Sequence, residues 1–136
     1  MFRLAVAAIA LICGATAFAF DEADLRRLAE TGDCPGCNLE YADLAGFDLA
    51  GADLSGARLI CADMESADLA GADLKRANIM GAFFAGADLT AADLRGAVLL
   101  RNALWNATRT DAILAGAVYF RSMSDAGLYN YDCNSP

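Results

Sequence analysis

The 136-residue chain contains no histidine. That removes the commonest general base and the residue that completes most zinc sites. Neither a Gly-x-Ser-x-Gly turn nor a phosphate-cradling glycine loop occurs, so no nucleophile elbow or nucleotide site is written here. Basic residues are scarce, 10 against 18 acids, for a formal net charge of −8. A surface of that sign disfavours direct contact with nucleic acid and is repelled by anionic membranes. Beyond the first nineteen residues no apolar run is long enough to span a bilayer. The Gly-Gly-x-Gly-x-Asp calcium repeat is absent, and Thr90, Thr108 and Thr110 do not form the flat threonine array of an ice-binding face. Catalysis, a cofactor and a resident metal are therefore not expected.

What is present begins with a leader. Arg3 gives a positive start, Leu4 to Cys13 an apolar core, and Ala17-Phe18-Ala19 a small-x-small cleavage site, the pattern of a secretory signal peptide over residues 1–19. A lipoprotein reading at Cys13 is disfavoured by Ile12 directly before it. Cleavage removes Arg3 and no acid, taking the net charge to about −9. Localisation is then secreted or periplasmic, with no membrane attachment after cleavage. Residues 20–36 read as an N-terminal cap: Asp21 to Glu30 forms a short helix with acids in its first turn, and Gly32 lies just beyond it. Leu25 and Leu28 are placed to cover an apolar floor.

From Cys37 to Arg121 the chain is a five-residue beat, Ala-Asp-Leu-x-Gly with variations, seventeen pentads in one phase. Central positions include Leu44, Leu54, Leu69, Leu74, Leu89 and Leu94, with a small residue two places earlier. On an α-helix five residues drift the apolar position by about 140° per repeat, so no stripe forms. On a flat strand an odd period sends successive leucines to opposite faces. The pattern works if the chain turns at every pentad, with Ala and Leu inward, and if each closed circuit stacks on the next at about 4.8 Å. Glycine at the pentad end suits the corner. Residues 122–136 break the beat and form a C-terminal cap or tail.

In these residues the chain resembles the pentapeptide-repeat family, from Cys37 to about Arg121. The resemblance implies an all-β solenoid, a right-handed quadrilateral β-helix of about four coils, with a short N-terminal α-helical cap. It also implies a non-catalytic role. Family members that protect DNA gyrase from quinolones are acidic rods resembling duplex DNA. A DNA-mimic, topoisomerase-binding role is accordingly the alternative to an exported interaction or structural module, although an export signal and the lack of a C-terminal dimerisation helix speak against it.

Four cysteines follow the leader: Cys34, Cys37, Cys61 and Cys133. An even number in an exported chain suggests disulfides. Cys34-Pro35-Gly36-Cys37 is either a redox site or half a metal site, or a staple at the open end of the solenoid. The absence of histidine and of a βαβ context weighs towards the staple, as does the resemblance, since family members often begin with Cys-Pro-Gly-Cys. They also often close with a cysteine in the last pentad bonded to one after a short turn. Met123 to Gly127 and Cys133 are similar to that ending, but Tyr119, Phe120 and Arg121 offer no partner. Cys61 is left, within reach of the tail along roughly three coils, about 15 Å.

Folding the pentads in fours turns spacing into columns. Outward acids form ladders: Asp48, Asp68 and Asp88, then Thr108, on the third face; Asp53, Asp73 and Asp93, then Ile113, on the fourth; Asp43 and Asp63 begin the second. They serve turn hydrogen bonds and solubility, hold cations weakly, or imitate a nucleic-acid backbone. The first face carries Glu40, Ile60, Met80, Leu100 and Phe120, with Val98 and Val118 beside them and Arg58, Arg101 and Arg121 flanking; Trp105 follows on the next face. Either the C-terminal tail covers this stripe, or Arg58, Ile60, Met80, Val98, Leu100, Arg101, Trp105 and Phe120 form a surface for self-association or for an unidentified protein partner. Arg109 falls in an inward central slot, and Asn102 to Asp111 is expected to bulge, or Arg109 to reach a carboxylate or the open end, to avoid an unpaired buried charge.

Overall fold

A computed structural model describes residues 20–100, 103–122, 124–127 and 133. The leader expected over 1–19 lies outside the described residues, as do Arg101, Asn102 and Met123. Helix α1 runs Glu22–Thr31. Asp21 caps it, accepting from the Ala23 amide at 2.8 Å, and Glu22 and Asp24 sit in the first turn, where the helix dipole favours negative charge. Gly32, at φ 80°, ends it with its amide donating to the Leu28 carbonyl. Leu25 and Leu28 are buried and join the main core. No helix among the described residues is long and apolar enough to cross a membrane.

Beyond α1 the backbone pairs with itself in parallel at a step of twenty residues. Four series of bridges run side by side: Asn38–Arg58–Asn78–Val98, Asp43–Asp63–Phe83, Asp48–Asp68–Asp88–Thr108 and Asp53–Asp73–Asp93–Ile113. At the upper end the first series widens into two short strands, β1 (Val98–Leu100) and β2 (Val118–Phe120), in register Val98 to Val118.

The pentad Ala67-Asp68-Leu69-Ala70-Gly71 shows why this sequence adopts the arrangement. The Ala67 amide closes the preceding corner on the Met64 carbonyl (3.1 Å); the Asp68 amide donates down to Phe47 (2.9 Å); Leu69 and Gly71 donate up to Asp88 (2.8 Å) and Thr90 (2.7 Å). Only the fourth amide finds no backbone carbonyl. It is taken by the side chain of Asp68, whose Oδ1 accepts from Ala70 at 3.0 Å. Each donor is thereby satisfied, as a backbone packed layer on layer requires. Gly71, at φ 69°, supplies the left-handed corner, and the same corner is made at Cys61, Ser66, Arg76 and Ala91 with φ of 56–57°.

Inside, the centres stack in columns such as Leu54–Leu74–Leu94 and Leu44–Met64–Phe84–Leu104, all buried, with alanine between them. Pairing begins four residues before the beat at Cys37. Asp33 accepts the Asp53 amide on its carboxylate (2.7 Å), while Cys34 and Gly36 donate to Asp53 and Ser55. Asp33-Cys34-Pro35-Gly36 is thus a pentad fragment with cysteine at its centre, and the Cys34–Cys37 disulfide closes it. Asp24 does the same for the Asn38 amide at 2.8 Å.

In the last layer one of the three expected outcomes holds: Arg109 reaches the open end. Arg109 does not force its pentad outward: Leu89 still donates to Thr108 (2.8 Å), and Ala112 to Arg109 (3.1 Å). Its side chain is exposed, since this layer stands at the end of the rod. A local shift of register falls within the segment expected to distort, at Asn106, whose carbonyl takes the Gly86 amide at a step of twenty residues where the other pentad ends step nineteen.

Candidate interaction surface

The aspartate ladders are turn chemistry. Oδ1 of Asp43, Asp48, Asp53, Asp63, Asp68, Asp73, Asp88 and Asp93 accepts from the amide two residues on, at 2.9–3.3 Å. Asn38 and Asn78 make the same bond with an amide oxygen. The Ser55 hydroxyl and then its amide hold Asp53 below the ordinary carboxylate pKa, and Thr90 does the same for Asp88. Asp93 is lowered first by the Arg95 guanidinium, which donates through Nε and Nη2 at 2.6–3.0 Å. Lys75 pairs with Asp73 at 2.7 Å. Among the described residues the one group of three metal-ligand types is Asp24, Cys34 and Cys37. Its two sulfurs are bonded to each other, so neither is a thiolate donor.

The apolar stripe on the first face is largely interior. Ile60 and Met80 are 2% and 0% exposed and form a second cluster with Cys61, against which Tyr41, Val98, Leu100, Phe120, Ala126 and Cys133 pack. The Cys61–Cys133 disulfide holds Cys133 there. Ile60 and Met80 are therefore not a free binding surface: a slot that points out of the coil meets the returning chain, not water. Val98, Leu100 and Phe120 are half-buried in the same cluster, and Arg101 lies outside the described residues. Arg58 is exposed and pairs with Glu40, whose carboxylate is buried at the lower end of the stripe.

Of the apolar members of that set Trp105 alone stands well out, 73% exposed, on the second face. Near it the outward slot of the Asp43–Asp63 series is taken by Phe83, 38% exposed. A cavity of about 320 Å³ opens there, lined by Glu65, Phe83, Phe84, Leu100, Trp105 and Asn106 among others. Phe84, the interior neighbour of Phe83, is buried. Glu65 and Phe83 are absent from the surface expected from sequence. Their signal is the break in the second column, where acid, acid gives way to aromatic.

Parallel bridges every twenty residues, pentads with Ala and Leu inside, and carboxylates that accept turn bonds define a repeat scaffold among the described residues. The family model for pentapeptide repeats matches residues 33–71 and 60–96, with eight copies. The chain belongs to the pentapeptide repeat family. Proteins of this family fold as right-handed quadrilateral β-helices, are generally structural rather than enzymatic, and act in protein interactions. HetL, involved in heterocyst differentiation regulation in the cyanobacterium Nostoc sp. strain PCC 7120, is 32% identical over 63% of this chain and 48% of its own, with a TM-score of 0.28. The chain thus spans about half the length of HetL. A pentapeptide repeat protein of the Arabidopsis thaliana thylakoid lumen is 30% identical over 71% of this chain and 70% of its own, TM-score 0.32. QnrB1, a plasmid-mediated fluoroquinolone resistance protein, is 17% identical over 71% and 61%, TM-score 0.34. No curated protein matches the chain.

Proposed function

We propose that the chain is an exported, non-catalytic pentapeptide-repeat module, a right-handed quadrilateral β-helix of about four coils that presents a surface to a protein partner or to another copy of itself. Export rests on the leader at 1–19, and secreted or periplasmic residence fits two disulfides among the four remaining cysteines. The observation that carries the interaction reading is that two exposed aromatics, Phe83 and Trp105, stand beside one cavity on a rod whose large apolar side chains are otherwise mostly buried, Ile113, Val118 and Tyr119 of the last layer excepted.

The DNA-mimic reading is weaker. It needs an unbroken acidic surface, whereas Asp73 and Asp93 on the fourth face are neutralised by Lys75 and Arg95, and the second column passes from Asp43 and Asp63 to Phe83. Cell fractionation with N-terminal sequencing tests both. A mature chain beginning near Phe20 outside the cytoplasm is expected, with a partner or a second copy recovered by pull-down from that compartment. Full-length protein in the cytoplasm contradicts export and favours the mimic.

A further inference from the structure

The second face changes character along the rod. Lower down its outward slots hold Asp43, Asp63 and Glu65; higher up they hold Phe83 and Trp105, the exposed rings beside the 320 Å³ cavity. Glu65 reaches this cavity from below, and Asn106 lines it at the shifted register. Below Arg109 in the last layer, the second and third faces carry Asp43, Asp48, Asp63, Glu65, Asp68 and Asp88 and no lysine or arginine among the described residues. Arg58 belongs to the first face, and Lys75 and Arg95 to the fourth, where they engage Asp73 and Asp93. Two exposed aromatic rings beside one carboxylate, with only acids among the described charges of these two faces below the last layer, match a particular chemistry. The π faces attract a cation, the rings cover an aliphatic stem, and the carboxylate receives the charged end. A neutral sugar also stacks on tryptophan, but it gains nothing from the charge of these acids.

We infer that the groove between Phe83 and Trp105 docks a lysine or arginine side chain from a basic segment of a partner protein, with Glu65 as its counter-ion. This rests on the protein-interaction reading above and adds the site and the partner's chemistry. The surrounding acids raise the local concentration of a basic segment and supply its salt dependence.

Trp105 is the only tryptophan in the chain, so its fluorescence reports on the groove directly. The purified protein is titrated with a lysine- and arginine-rich peptide free of aromatics, and in parallel with an acidic peptide of equal length and with cellotetraose. A saturable spectral change is expected with the basic peptide alone. Its affinity should fall about five-fold in Glu65→Gln and in Phe83→Leu, and further in roughly 0.5 M salt. Glu65→Gln is isosteric at an exposed position, and the melting curve of each variant shows that it folds. Absence of a saturable change, a response to cellotetraose in place of the basic peptide, or equal affinity of Glu65→Gln and the parent overturns the inference. A protein captured by pull-down that binds Glu65→Gln and Trp105→Ala as well as the parent also overturns it, while leaving the interaction reading intact. Capture of nothing, by parent or variant, counts against that broader reading.

Discussion

Replacing Asp68 separates the structural role of the ladder acids from any role of their charge. Asp68 is exposed, and its Oδ1 accepts from the Ala70 amide at 3.0 Å, the one donor of its pentad that has no carbonyl. Asn38 and Asn78 occupy the same slot and make the same bond to Glu40 and Met80. Asp68→Asn should therefore keep the bond and leave stability within about 0.5 kcal/mol of the parent. Asp68→Ala removes the acceptor and returns the Ala70 amide to water, at a cost of about 1 kcal/mol. For a domain of this size that is a fall in Tm of roughly 4 °C. Urea and thermal unfolding of the three proteins at neutral pH provide the comparison. If Asp68→Asn loses as much as Asp68→Ala, the charge rather than the turn is what the fold needs, and the reasoning fails. If neither changes, the bond contributes nothing measurable and the reasoning fails equally.

Acid should weaken the rod. A carboxylate whose folded pKa is lowered, as at Asp53, Asp88 and Asp93, gives stability fully present above its unfolded value near 3.8 and lost as pH falls through the folded value. Urea midpoints are expected to be flat above about pH 5 and to drop below about pH 4, with a shallower drop in Thr90→Val, which lacks the hydroxyl bond to Asp88. Cys133→Ser opens a loop with a sequence separation of 72; stability should fall by about 4 kcal/mol on a loop-closure basis, and a hydrophobic dye should bind the uncovered Ile60–Met80 cluster. Leu74→Ala, buried between Leu54 and Leu94 in a lattice that cannot collapse, should cost about 3–4 kcal/mol. Leu114→Ala, half-buried in the last layer, should cost about 1 kcal/mol; equal costs would mean that the last layer is covered.

The inward and outward slots of the pentads are legible because the period admits few backbones: a helix and a flat strand each scatter the leucines. Helix α1 is legible in its acids-first, glycine-last order. The pentad fragment at Asp33 is not, because Cys34 and Pro35 disguise an Asp-Leu-x-Gly pattern whose partner lies twenty residues away. The burial of Ile60 and Met80 is legible only as one of two alternatives. The slot rule describes one coil in water and points them outward, whereas Cys133, bonded to Cys61, and Ala126 pack against their cluster. Arg109 shows the reverse: a centre in the last layer has nothing stacked on it, so a charge is tolerated where an interior position would refuse it. The groove at Phe83 emerges only when columns are compared, since each residue alone looks like a tolerated variation of the beat.

The most direct measurement compares two variants in one pull-down. One carries Asp53, Asp73 and Asp93 of the fourth face as asparagine, which keeps the turn bonds and removes ladder charge. The other carries Phe83→Leu and Trp105→Ala, which leaves the ladder intact and strips the groove. If the ladders build the rod and the groove recognises the partner, the first variant retains capture and the second loses it. Capture lost with the first and kept with the second would place recognition in the acidic ladders and contradict both assignments.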